Sequence, residues 1–202
     1  TTRLKIIDGI RKYARIVSRA KEMGISEADT HDLVRAMLGD MLGYDPFFDV
    51  TSEGVLRGPH ATFMVLNGTP QQFLIVVQPL TTTPHAAHLL RLSGVNTPNY
   101  TSWAILTNGD TWACYRLGVG TGRSPEQVFR VSLSDSQTIE ARLALFSLLS
   151  KEGVHQDSLA THWEQHCVLN PVHLTALLLL EETLQILRRE LQRYNNYRID
   201  TF

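Results

Sequence analysis

Apolar residues recur at helical steps from the start of the chain. Ile6, Ile10, Tyr13, Val17 and Ala20 form one stripe, and the positions around it are filled by Arg3, Lys5, Arg11, Lys12, Arg15, Arg19 and Lys21. This pattern predicts a basic amphipathic helix over residues 1–24. Ser26-Glu27-Ala28-Asp29-Thr30 opens a second helix that runs through Leu33, Met37, Leu38, Met41 and Leu42. Ser26 suits the N-cap, and acidic side chains are favoured in the first turn that follows. Short apolar and alternating runs then predict strands over 49–53, 61–66 and 73–77, a helix around His88-Leu89-Leu90, and strands over 103–109 and 111–117. Gly118-Val119-Gly120-Thr121-Gly122 lacks the Lys-Ser/Thr that a phosphate loop needs, so it reads as a hairpin connection between strands. Beyond Leu133 the pattern turns helical over 136–150, 159–168 and 171 to about 194, with Pro171 suited to a first helical turn.

The last of these helices carries Leu177, Leu180, Leu184, Leu187 and Leu191 at alternating three- and four-residue steps. That is a two-helix packing seam. The first helix offers matching steps, so the terminal helices are expected to pack on each other, with a homodimer through the leucine seam as the alternative to a monomer. The expected organisation is an amino-terminal helix over 1–24, an α/β core over 25–135 and a helical region over 136–202 that forms one structural unit with the core.

Composition narrows the class of partner. At 202 residues and 43% hydrophobic content the chain can bury one well-packed core. Its formal net charge of −1 gives no global field for polyanions, so any nucleic-acid contact must be local. The basic patch on the first helix supplies the candidates Arg11, Lys12, Arg15 and Arg19; a solvated helix face is the plain reading of the same residues. No run approaches the roughly 18 apolar residues that span a bilayer, and the stretch 174–180 ends at Glu181-Glu182. Cys114 and Cys167 make no disulfide framework, which fits a reducing cytoplasm. His162, His166, Cys167 and His173 have the residue types of a zinc site, but Asn170-Pro171 breaks the spacing, and no metal or other cofactor is expected there.

Three further words resemble a known family: Leu42-Gly43-Tyr44-Asp45, Val50-Thr51-Ser52-Glu53, and Trp103 to Gly109 followed by Trp112 and Tyr115. With the element order helix, three strands, helix, two strands, they resemble the restriction-endonuclease-like fold, and within it the amino-terminal domain of type I restriction enzyme R subunits. The resemblance covers about residues 26–133. It implies a mixed central sheet flanked by helices. It also implies a site in which an Asp and a Glu on neighbouring strands hold Mg²⁺ while a Lys steadies the attacking water and the phosphate.

Laid on this chain, that pattern falls on Thr62, Val76 and Gln78. Valine has no ligand atom, threonine offers a neutral hydroxyl, and glutamine carries no charge, whereas hard divalent cations need carboxylate oxygen. Pro79 follows at once and removes a ladder N–H. Two carboxylates are candidate remnants, Glu27 at the head of the second helix and Glu53 on the first strand; local capping and turn roles account for both. Where relatives orient the nucleic-acid backbone from the helix after the third strand, this chain has Arg91, a further nucleic-acid candidate. The sequence therefore reads as a degenerate nuclease domain that binds DNA or a protein in a bacterial restriction or DNA-processing setting. One alternative is an active Mg²⁺-dependent DNA endonuclease with a migrated site built from Glu27, Glu53 and Gln78 or His60. The other is a purely structural or interaction protein whose old cleft has become core.

Overall fold

A computed structural model describes residues 1–51, 62–65, 73–90, 103–117, 125–168, 179 and 181–195. The predicted elements Glu53, His60, Arg91, Leu177, Leu180, His173 and the glycine-rich 118–122 connection lie outside these residues.

Helix α1 spans Thr2–Met23 and ends where Gly24 turns left-handed, at φ 64°, its N–H reaching back to the carbonyls of Ala20 and Lys21. Helix α2 spans Glu27–Asp40. Its start is a capping box made by Ser26 and Asp29: the Ser26 hydroxyl accepts from the Asp29 N–H at 3.1 Å, and the Ser26 N–H donates to the Asp29 carboxylate at 3.0 Å. These reciprocal bonds satisfy two helix-end donors that would otherwise be orphaned. The two helices approach closely where Gly9 faces Met41. A Cβ at Gly9 would sit 2.5 Å from the Met41 Cγ, so only a residue without one fits there.

Six strands follow: β1 Val50–Thr51, β2 Thr62–Val65, β3 Phe73–Val77, β4 Trp103–Thr107, β5 Thr111–Arg116 and β6 Glu126–Ser132. They form one sheet in the order β1-β2-β3-β4-β5-β6. Neighbours are antiparallel except β3 and β4, which are parallel. A parallel pair needs a crossover, and the short helix α3, Ala87–Leu90, lies within it. Every residue of β3 and β4 is buried. This is the signature of central strands covered on both faces, and it explains why their sequences read as apolar runs rather than alternations.

Alternation assigns the two faces. Leu74 and Val76, Ala104 and Leu106, and Ala113 and Tyr115 share one face and pack with Leu89 of α3. Trp112 points to the other face, its ring edge-on to Phe146 at 6.0 Å. Phe146 belongs to α4, Ile139–Leu149, and α1 packs on α4 and α2. The architecture is thus α/β, a mixed sheet between α3 on one side and α1, α2 and α4 on the other.

The stripe Ile6, Ile10, Tyr13 and Val17 of α1 is at most 2% exposed, and within its own unit α1 packs on α4 and α2. Helix α4 continues into α5, Lys151–His155, at Ser150, whose hydroxyl accepts from the Gly153 N–H at 3.1 Å. The chain divides into two compact units, Thr1–Leu159 and Ala160–Phe202, so α4 and α5 belong with the sheet. The helix α6, Ser158–Val168, begins at that boundary. The last helix, α7, spans Glu181–Asn195; Leu184 of the seam is half-buried, while Leu187 and Leu191 are 42% and 47% exposed. Among the described residues, no helix is long and apolar enough to cross a membrane.

Candidate functional site

Strand register decides where the three expected catalytic positions fall. Thr62 of β2 is the direct partner of Val76 in β3, and Val76 is in turn paired with Leu106 and Leu106 with Ala113. Alternation carries Gln78, two residues beyond Val76, to the face shared by Leu74 and Val76. The three positions chosen from sequence therefore converge on one edge of one sheet face.

Among the described residues, the surroundings of Val76 are apolar. Val76 is 1% exposed within the cluster of Leu74, Leu89, Ala104, Leu106 and Ala113. Gln78 is completely buried; its backbone N–H extends the parallel ladder to the Thr107 carbonyl at 2.8 Å, but neither its Oε1 nor its Nε2 has a hydrogen-bond partner among the described residues. Pro79 closes the ladder, and its carbonyl accepts from the Thr82 N–H at 2.8 Å in a tight turn. An apolar wall and a neutral carboxamide can exclude water and offer one NH₂ group and one carbonyl oxygen for hydrogen bonding. They cannot neutralise a phosphate.

Polar chemistry on the described residues is concentrated instead where the other layer joins the sheet. The turn after β4 is fixed by Asn108, whose Nδ2 donates to the carbonyls of Leu80 and Thr82 at 3.1 and 2.8 Å. Its Oδ1 accepts from the Asp110 and Thr111 N–H groups at 3.1 and 2.8 Å, with Gly109 at φ 87°. Asp110 is buried and receives the Lys21 ammonium at 2.6 Å, the Ser134 N–H at 3.0 Å and the Ser132 hydroxyl at 3.3 Å. Burial pushes the Asp110 carboxyl up, but the Lys21 and Ser134 hydrogen bonds overcome it and hold the group below the usual aspartate range. Asp49 behaves alike: burial opposes ionisation, while Lys151 at 2.6 Å and the Asp45 N–H at 2.7 Å favour it, leaving the carboxyl depressed. Both are scaffold pairs. Lys21 pins the end of α1 to the β4–β5 turn, and Lys151 ties α5 to the start of β1.

Leu42 and Tyr44 also have structural roles. Tyr44 donates to the Leu149 carbonyl at 2.7 Å, and the Lys151 N–H donates to Leu42 at 2.9 Å, which locks the end of α2 onto the α4–α5 junction. Comparison with known protein families, characterised proteins and solved structures returned no match.

The remaining candidates separate. Glu27 is half-buried in the first turn of α2, beside the capping box that Asp29 rather than Glu27 completes. Lys12 is already paired: its ammonium bonds Asp40 at 2.6 Å and lies 4.9 Å from the Tyr13 ring centre, while the Tyr13 hydroxyl donates to the same carboxylate at 2.8 Å. Arg11, Arg15 and Arg19 are exposed and form no ion pair with a carboxylate among the described residues. His85 caps α3, its Nδ1 3.2 Å from the Ala87 N–H. Cys114 is buried, and burial pushes its thiol up, so it lacks the thiolate needed of a nucleophile. Among the described residues no three of His, Cys, Asp and Glu are grouped as metal ligands.

Sequence reasoning missed the exposed pair Phe47 and Phe48, 85% and 83% accessible. The turn is held by hydrogen bonds: the Asp45 carboxylate accepts from both of their N–H groups at 2.8 and 3.1 Å, and Arg35 donates to the Pro46 carbonyl at 2.9 Å. Nothing in the apolar pattern separates these rings from core aromatics; only the direction of the turn exposes them.

Proposed function

We propose that this chain is a restriction-endonuclease-like domain whose catalytic face has been closed, and that it acts by binding rather than by cleaving. The element order and the mixed sheet with its single parallel β3–β4 pair agree with the fold the resemblance implies. The observation that carries the reading is Val76, 1% exposed in an apolar cluster at the position where a metal-binding carboxylate is expected. A carboxylate placed there would face several kcal/mol of desolvation or keep its proton. Gln78, beside it, supplies no positive charge to the transition state. The closed face favours an interaction role within a DNA-processing setting.

The test is direct. Purified protein incubated with single- and double-stranded DNA and either Mg²⁺ or Mn²⁺ should give no cleavage above a buffer control. Metal-dependent cleavage that disappears in Glu53→Ala or Glu27→Ala would establish the migrated-site alternative and overturn the proposal.

A further inference from the structure

Helix α1 carries seven basic residues and two acidic ones, Asp8 and Glu22, in a chain whose formal net charge is −1. The basic excess is therefore gathered on one element. Its inner stripe is spent on the core, with Ile6, Ile10, Tyr13 and Val17 at most 2% exposed. Lys12 and Lys21 are spent on Asp40 and Asp110. That leaves five exposed cations, Arg3, Lys5, Arg11, Arg15 and Arg19; the last three stand at four-residue intervals, and neither Asp8 nor Glu22 is in an ion pair with them. Residues four apart on an α-helix lie on one face, about 6 Å apart along its axis. The three arginines thus form a ridge inclined to the helix axis, roughly 12 Å long along it, on the layer opposite Val76 and Gln78.

We propose that this ridge is a binding surface for the phosphodiester backbone of nucleic acid, each arginine taking one phosphate. Guanidinium forks match phosphate geometry bidentately, and release of condensed counterions drives binding even where the protein as a whole is slightly acidic. Charges farther than about 8–10 Å are screened at physiological salt, so of the chain's acids mainly Asp8 and Glu22, one turn from Arg11 and Arg19, act on the row, and the exposed cations of α1 outnumber them. A lipid surface fits less well, because an interfacial helix must insert an apolar face and that of α1 is buried. A protein interface draws its energy from clustered apolar or aromatic anchors. On α1 the exposed Leu4, Ile16 and Met23 stand singly along the helix. The inference concerns a surface away from the closed catalytic face and goes beyond the reading of that face.

The experiment is a salt titration of binding. Fluorescence anisotropy with a labelled 20-base-pair duplex, and with one of its strands alone, is measured from 50 to 200 mM KCl. Three phosphate contacts predict a log–log slope of about −2.7 on duplex and about −2.1 on single strand, a loss of duplex affinity of about 40-fold over that range. Arg15→Gln should reduce the duplex slope by about 0.9, and the triple Arg11→Gln, Arg15→Gln, Arg19→Gln should abolish it. The triple Arg→Lys variant should keep the slope. An equal charge change on α7, Arg188→Gln, Arg189→Gln, Arg193→Gln, should leave binding unchanged. All variants are checked for an unaltered thermal melt. The proposal is overturned by absence of binding to either probe at 50 mM salt, or by an unchanged slope in the α1 triple variant. It is equally overturned if phosphatidylserine vesicles or polyglutamate bind in an arginine-dependent way while the nucleic acids do not. Because no cleavage is measured, either result leaves the reading of the closed catalytic face standing.

Discussion

Replacing Gln78 by methionine should make the protein more stable. The side chain is fully buried, its carboxamide oxygen and nitrogen have no partner among the described residues, and the backbone N–H bond to Thr107 would survive the change. A buried polar group left unmet costs about 1–3 kcal/mol, while methionine has similar length and adapts its rotamers to irregular space. Counting one such penalty relieved, Gln78→Met should gain about 1–3 kcal/mol, which for a chain of this length raises Tm by roughly 2–12 °C. Urea unfolding at pH 7, followed by the fluorescence of the buried Trp103 and Trp112, reads this as a higher midpoint at unchanged slope. Gln78→Glu provides the matching control. The introduced carboxyl must either ionise in a dry site or hold its proton, so its folded-state pKa rises; this variant should be destabilised at pH 7 and recover as pH falls toward the unfolded value of about 4.3. Loss of more than about 1 kcal/mol in Gln78→Met at constant slope would refute the reasoning, because it would mean the carboxamide is hydrogen-bonded in the native state.

Other elements of the structure give sharper contrasts. Asp110→Asn removes the carboxylate from a pair whose lysine is 42% exposed, and after discounting for solvent it should cost about 1–3 kcal/mol at pH 7 in urea unfolding. Because the Asp110 and Asp49 carboxyls are depressed below their ordinary value of 3.8, the unfolded chain takes up protons first. Their contribution is therefore complete above that value and lost as pH falls below it, and the Asp110→Asn difference should shrink there in acid titrations of stability. The double change Phe47→Ser, Phe48→Ser should alter stability by no more than about 1 kcal/mol by differential scanning calorimetry, since both rings are more than 80% exposed; a larger loss would mean that the rings are covered in solution. Ile10→Asp should prevent folding or cost several kcal/mol, whereas Leu187→Asp in α7 should cost far less, because the first residue is 1% exposed and the second 42%. Comparable losses in circular-dichroism melts would show that the leucine seam is covered.

Much of the local structure is written in short-range rules that the sequence carries openly. Ser26 and Asp29 make a capping box because a hydroxyl and a carboxylate three residues apart fit the first turn of a helix. The helical steps of Ile6, Ile10, Tyr13 and Val17 identify a buried stripe whatever it packs against. The register that pairs Thr62 with Val76 is shown by the sheet itself and was not read from the sequence. The partner of that stripe was not legible. Apolar spacing alone does not say which helices meet, and only three-dimensional packing brings α4 and α2 onto α1. The same holds for charge. Lys12 and Arg11 are adjacent and alike in sequence, but the close approach of α1 to α2 at Gly9 brings Asp40 to the lysine and leaves the arginine in water. Sequence shows which residue types could carry chemistry. Which are consumed by the scaffold is decided by contacts between residues distant along the chain, such as Lys21 with Asp110 and Lys151 with Asp49, because an ion pair forms wherever the fold places opposite charges within reach.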